Sequence, residues 1–96
     1  MNKHPFDGVW LGTFTAVQGC PVKSGTKTFL IQDSKLQHPV APVSAEGEVT
    51  FVAPSRAIPN VKVRHRLKLA RNAGTGSYQT IGGPCVGRWA LQRAAK

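Results

Sequence analysis

Val61-Lys62-Val63-Arg64-His65-Arg66-Leu67-Lys68-Leu69 decides the fold class. Its odd positions are apolar or His, and its even positions are all basic, a period of two held over nine residues. An amphipathic helix would need apolar residues at i, i+3 and i+4, and this stretch does not supply them. It predicts a strand with one buried and one solvated face.

The same reading extends outward. Turn signals recur at Lys23-Ser24-Gly25, Asp33-Ser34, Pro39 to Pro42, Glu46-Gly47, Pro54 to Pro59, Asn72-Ala73-Gly74 and Gly82-Gly83-Pro84. Between them lie β-branched and aromatic segments that tend to alternate. Strands are predicted over 8–17, 27–32, 47–53, 61–70, 76–81 and 85–93, with a short one at 35–38. Good helix formers follow one another only from Trp89 to Lys96, where a C-terminal helical turn is expected. The 96 residues suit one domain, too short for a doubly wound nucleotide-binding fold or a (β/α)₈ barrel. A chain this size buries about 60–65% of its extended surface, so a covalent staple would help. The expected organisation is a disordered tail over 1–5 and a single β-barrel domain over 6–96.

Two cysteines, Cys20 and Cys85, are an even count in a small chain rich in Gly and Pro. That usage favours a disulfide and an oxidising compartment over two separate buried thiols. Cys20 lies just past the first predicted strand and Cys85 at the start of the last. In an antiparallel pair the end of one strand faces the start of the other, so a Cys20–Cys85 bond fits first and last strands as neighbours. The expected fold is therefore all-β: a small antiparallel barrel or strongly curved sheet of 6–8 strands, with first and last adjacent. Closure would also remove exposed strand edges. Gly8-Val9-Trp10 and Gly87-Arg88-Trp89 read most simply as core tryptophans, each with a small residue beside it.

Phe6-Asp7-Gly8-Val9-Trp10, Gly12-Thr13-Phe14, Cys20-Pro21 and Pro84-Cys85-Val86-Gly87-Arg88-Trp89 with Arg93 together resemble a group of small exported bacterial β-domains of uncharacterised function. The likeness covers the two ends of the chain and little of the middle. It implies export, with a leader ahead of this sequence, because Met1 to Pro5 contains no apolar stretch. More distantly, Gly8-Val9-Trp10 with Arg93 is similar to the calycin signature. In lipocalins, fatty-acid-binding proteins and avidins, a first-strand Trp is commonly covered by a basic residue of the last strand. A small periplasmic protease-inhibitor family shares that barrel. This chain is shorter than the larger calycins.

The inventory for catalysis is thin. Glu46 and Glu48 flank Gly47 and read as a solvated hairpin. His4, His38 and His65 have no i, i+2 or i, i+4 partner, so metal-ligand spacing is missing. Gly74-Thr75-Gly76 reads as a hairpin turn and does not open a helix, so it is not a phosphate loop. Cys20 and Cys85 read as structural and not as nucleophiles. A non-enzyme without cofactor is expected.

Two binding surfaces remain. The net charge of +9 is uneven: residues 1–48 sum to zero, whereas 49–96 hold nine Lys and Arg and no acid. Lys62, Arg64, Arg66 and Lys68 share one strand face at intervals of about 6.8 Å, a row about 20 Å long. Arg56, Arg71 or Arg88 could extend it. Such a face suits an acidic polymer or an anionic envelope surface. Nucleic acid is the less favoured partner, because few aromatics accompany the charges. The second surface is the barrel interior. Trp10, Phe14, Phe29, Ile31, Phe51, Val63, Leu67, Trp89 and Leu91 are expected to fill it. If a pocket for a small apolar ligand exists instead, Trp10, Phe14, His65 and Trp89 line it. A protein-inhibitory or interaction module is the third class. No stretch approaches the length of a membrane-spanning helix.

Overall fold

The computed structural model describes residues 4–94. Eight strands follow in order: β1 (Gly8–Gln18), β2 (Ser24–Gln32), β3 (Lys35–Gln37), β4 (Val40–Pro42), β5 (Glu48–Pro54), β6 (Lys62–Leu69), β7 (Ala73–Thr80) and β8 (Val86–Arg93). They form one sheet in the order β4-β3-β2-β1-β8-β7-β6-β5, with every neighbouring pair antiparallel. The sheet is a meander curled into a nearly closed barrel. Its first and last strands are adjacent, with Trp10 opposite Arg93 and Phe14 opposite Trp89. Just beyond the last rung, Gln18 opposite Val86, the Cys20–Cys85 disulfide ties the two strands together.

β6 keeps the period read from its sequence. Lys62, Arg64, Arg66 and Lys68 are exposed, Val63 and His65 are half-buried, and Leu67 and Leu69 are buried. Three expectations need correction. Pro39 to Pro42 is not only a turn, because Val40–Pro42 forms a short strand against β3 after the cis His38–Pro39 peptide. Gly74-Thr75-Gly76 does not make the hairpin turn; Arg71 and Asn72 make it, inside the Ala70 N–H to Ala73 carbonyl hydrogen bond, and β7 already begins at Ala73. Gly74 and Gly76 are strand residues opposite Leu69 and Leu67, and a Cβ on Gly76 would lie 2.8 Å from the Leu67 side chain. These glycines make room for leucines leaning across the strand. Finally, the expected C-terminal helical turn is strand. Trp89 and Leu91 point inward while Ala90 and Gln92 point outward, so burial at period two overrides helix propensity. Residues 95–96 lie outside the described region.

The Phe6-Asp7-Gly8-Val9-Trp10 segment closes one end of the barrel. Asp33 and Ser34 both have positive φ (55° and 57°) and make the tight turn between β2 and β3. The Asp7 carboxylate accepts from the backbone N–H of each, at 2.8 and 3.0 Å. Gly8 sits at φ 137°, a conformation that glycine takes without steric cost. Trp10 is completely buried and donates its indole N–H to the Phe6 carbonyl at 2.9 Å. The Arg93 guanidinium lies over the Trp10 ring, 4.8 Å from its centroid, and donates to the Pro5 carbonyl at 2.6 Å. His4 is hydrogen-bonded to Ser34 at 2.8 Å. The tail expected to be disordered is thus anchored at His4 and Pro5, while its first three residues lie outside the described region.

Candidate functional site

The interior is filled at one end only. β3 and β4 have three residues each, and β3 pairs only with the last residues of β2, Ile31 and Gln32. At that end Trp10, Ile31, Leu36, Ala41, Val43, Val49, Leu69 and Leu91 pack into a core. Toward the other end the wall has six strands, and neither the outer edge of β2 nor that of β5 has a ladder partner. A cavity of about 530 Å³ opens there, roofed on one side by the segment that follows β5 and includes Ser55 to Ile58. Small-molecule sites commonly fall between about 300 and 1,000 Å³.

Aromatic rings make the floor. Phe14 and Trp89 meet edge to face at 5.4 Å, Phe14 and Tyr78 at 5.9 Å, and Tyr78 and Trp89 at 6.0 Å. His65 stacks on Phe51 at 4.7 Å with 14° between the planes. The Trp89 indole N–H donates to His65 Nδ1 at 3.1 Å, so a neutral His65 carries its proton on Nε2. Tyr78 lies across Gly87, where any Cβ would collide with the phenol ring. Its hydroxyl is buried without a hydrogen-bond partner. A buried, unpaired hydroxyl costs about 1–3 kcal/mol. Val63 and Ala53 complete the apolar wall, and the disulfide and Val22 border the mouth.

The charge of the cavity is one-sided. Lys27 shares the inward parity of Gly25, Phe29 and Ile31 on β2, and its Nζ stands 5.4 Å from the Phe29 centroid. Burial, and next the nearby Arg56, push its pKa down. Burial and then Lys27 lower the His65 pKa to about 4. Burial raises that of Tyr78. Among the described residues, no Asp or Glu lines the cavity. Asp7 and Asp33 are held at the β2–β3 turn, and Glu46 and Glu48 flank the turn before β5, all at the filled end.

His65 therefore has a lower pKa folded than unfolded, where it is about 6.5. Between pH 6.5 and 4 the unfolded chain binds the proton first, so stability should fall as pH falls through that window and level off below it. Urea unfolding at successive pH values should show a loss on the order of 1–3 kcal/mol that His65→Gln removes, allowing for screening at the open mouth. An identical pH profile in the variant would exclude His65 as the source.

Of the residues expected to line a pocket, Phe14, His65 and Trp89 converge on this cavity. Trp10 does not, since it is sealed in the filled end under Arg93. The expectation that the whole interior is filled holds only there. Tyr78, Lys27 and Arg56 were not expected to line the interior. Strand parity with Phe29 and Ile31 marks Lys27, whereas nothing in the non-periodic segment from Pro54 to Pro59 marks Arg56.

The outer face of β6 is also well defined. Its four cations are exposed, and Arg66 and Arg88 stand in one cross-strand row on either side of Ser77. Glu48 is opposite Lys68, and Thr50, Arg66 and Ser77 border a shallow open depression. Among the described residues no three His, Cys, Asp or Glu gather as for a metal, and no helix is long and apolar enough to cross a membrane. Comparison with family models, curated proteins and solved structures finds no match.

Proposed function

We propose that this protein is a non-catalytic binding domain that holds a small, largely apolar molecule in the open end of its barrel. The carrying observation is the cavity itself: about 530 Å³, floored by Phe14, Tyr78 and Trp89. A chain with such a small core gains nothing in stability from leaving aromatic surface uncovered. An apolar ligand would cover it. The Arg93–Trp10 stack supports a calycin-like reading of the barrel. The disulfide supports an oxidising, exported setting.

The neutral probe N-phenyl-1-naphthylamine should bind with a blue-shifted emission and quench Trp89. Ala53→Trp, which adds an indole to the cavity wall, should weaken that binding by about tenfold or more while leaving the fold intact. Equal binding by the variant would remove the cavity as the site. A second reading, polyanion binding by the outer face, rests on the four exposed cations of β6 with Arg88 beside them. Its hallmark, salt-sensitive retention on heparin, should survive Ala53→Trp and disappear in Arg64→Glu with Arg66→Glu.

A further inference from the structure

We propose that the cavity selects amphiphiles carrying an anionic head group, which Lys27 and Arg56 receive at the mouth, over neutral molecules of the same shape. The inference rests on the cavity being a ligand site. It starts from an electrostatic anomaly. Lys27, half-buried, and the exposed Arg56 both line a partly apolar cavity, and among the described residues no Asp or Glu lines it. Partly desolvating one cation on the same cavity lining as a second raises the free energy of the empty protein, because desolvation and repulsion act in the same direction. The four acidic side chains are all among the described residues and lie at the other end of the barrel, so none of them serves as a counterion here.

Lys27 is placed for contact with a ligand. It points inward from the edge of β2, its ammonium sits near the Phe29 ring, and β3 does not extend far enough to cover it. Arg56 is exposed, in the segment that roofs the opening. Together they form a cationic rim over an aromatic floor. A molecule with its apolar body on Phe14 and Trp89 would leave its head at this rim. There a carboxylate, sulfonate or phosphate monoester would make charge-assisted hydrogen bonds. The shared chemistry is one anionic head on an apolar body, and the body is required. A free inorganic anion has nothing to place on the aromatic floor.

Lys27 is also an inward-pointing charge on an unpaired strand edge, a known guard against edge-to-edge pairing. That role needs a single charge and no ligand. It does not account for Arg56, or for the exclusion of acids from the whole lining.

Two fluorescent probes with the same anilinonaphthalene body separate these roles. One, 8-anilinonaphthalene-1-sulfonate, carries an anionic sulfonate, and N-phenyl-1-naphthylamine carries none. The sulfonate should bind the disulfide-bonded protein about tenfold or more tightly than the neutral probe. Lys27→Met and Arg56→Gln should each erase most of that preference by weakening the sulfonate's binding toward that of the neutral probe. Arg56→Gln alters an exposed residue, so it keeps the test open if Lys27→Met misfolds. Arg64→Gln with Arg66→Gln on the outer face should change neither affinity, and inorganic phosphate should displace neither probe. Equal affinity for both probes in the parent protein, or a sulfonate preference that survives both cavity variants, would overturn the anionic head while leaving the ligand site standing. Failure of both probes to bind would overturn the two together.

Discussion

Cys20→Ser with Cys85→Ser should lower the stability of this protein by about 4 kcal/mol, the largest single effect expected from its covalent structure. The bond joins residues 65 apart in sequence, and in the chain-entropy model closing a loop of that length restricts the unfolded ensemble by about that amount. For a domain of this size, a loss of that order lowers the melting temperature by about 15–30 °C. Small domains are stable by only about 5–15 kcal/mol, so the variant should be marginal near physiological temperature. The effect should extend to binding, because both cysteines border the open end and hold the end of β1 against the start of β8. Thermal unfolding of the oxidised protein, the reduced protein and the double variant checks this. The last two should coincide well below the first. A melting temperature unaffected by reduction would mean that the strand ladder alone holds the seam.

The second large effect lies at the opposite end. Trp10→Ala should cost about 3–5 kcal/mol, the usual range for truncating a fully packed aromatic. The indole has no exposed surface, donates to the Phe6 carbonyl and carries the Arg93 guanidinium on its face. Removing it vacates a fully buried position in the packed end of the barrel. It also releases the N-terminal segment, which Arg93 holds through the Pro5 carbonyl. Trp10→Phe should cost less, on the order of 1–2 kcal/mol, because the aromatic face remains while the N–H bond is lost. Denaturant unfolding measures both. A loss below about 1 kcal/mol for Trp10→Ala would contradict a packed core at this end.

These two effects follow the division of the barrel into a filled half and an open half, and the sequence reveals those halves unequally. The nine residues from Val61 to Leu69 carry their own strand assignment, because only one face of β6 is buried. The cysteines carry the adjacency of β1 and β8, because two chain ends that share a disulfide must come together. The open end depends on something local patterns do not encode, the length of β3 and β4. β3 reads as a short strand at 35–38, whereas the three residues of β4, between Pro39 and Pro42, are too few to show alternation and read as turn. Their shortness leaves β2 and β5 without partners toward the mouth and so creates the cavity.

Phe14, His65 and Trp89 were accessible from parity, since inward positions of neighbouring strands near one end of a barrel must meet. Trp10 shares that parity but lies at the other end, a distinction that requires the register of β1 against β8. Tyr78 enters through Gly87, its partner across the strands, because the absent side chain there leaves space for a phenol. Such pairings exist only once the register is known. The exposed row from Lys62 to Lys68, in contrast, was readable directly, because exposure on alternate positions needs no knowledge of neighbours; its extension was not, since Arg88 joins it only through the register and Arg56 lies at the cavity instead.

The two tryptophans provide the most direct test of ligand binding in the open end. Each indole N–H gives its own proton resonance: Trp89 donates to His65 at the cavity floor, and Trp10 donates to the Phe6 carbonyl in the sealed core. Titration with N-phenyl-1-naphthylamine, followed by ¹H–¹⁵N correlation spectra, should move the Trp89 indole signal progressively to saturation and leave that of Trp10 in place. A Trp89 signal that stays fixed at saturating probe, or two indole signals that shift together, would contradict a ligand site in the open half of the barrel.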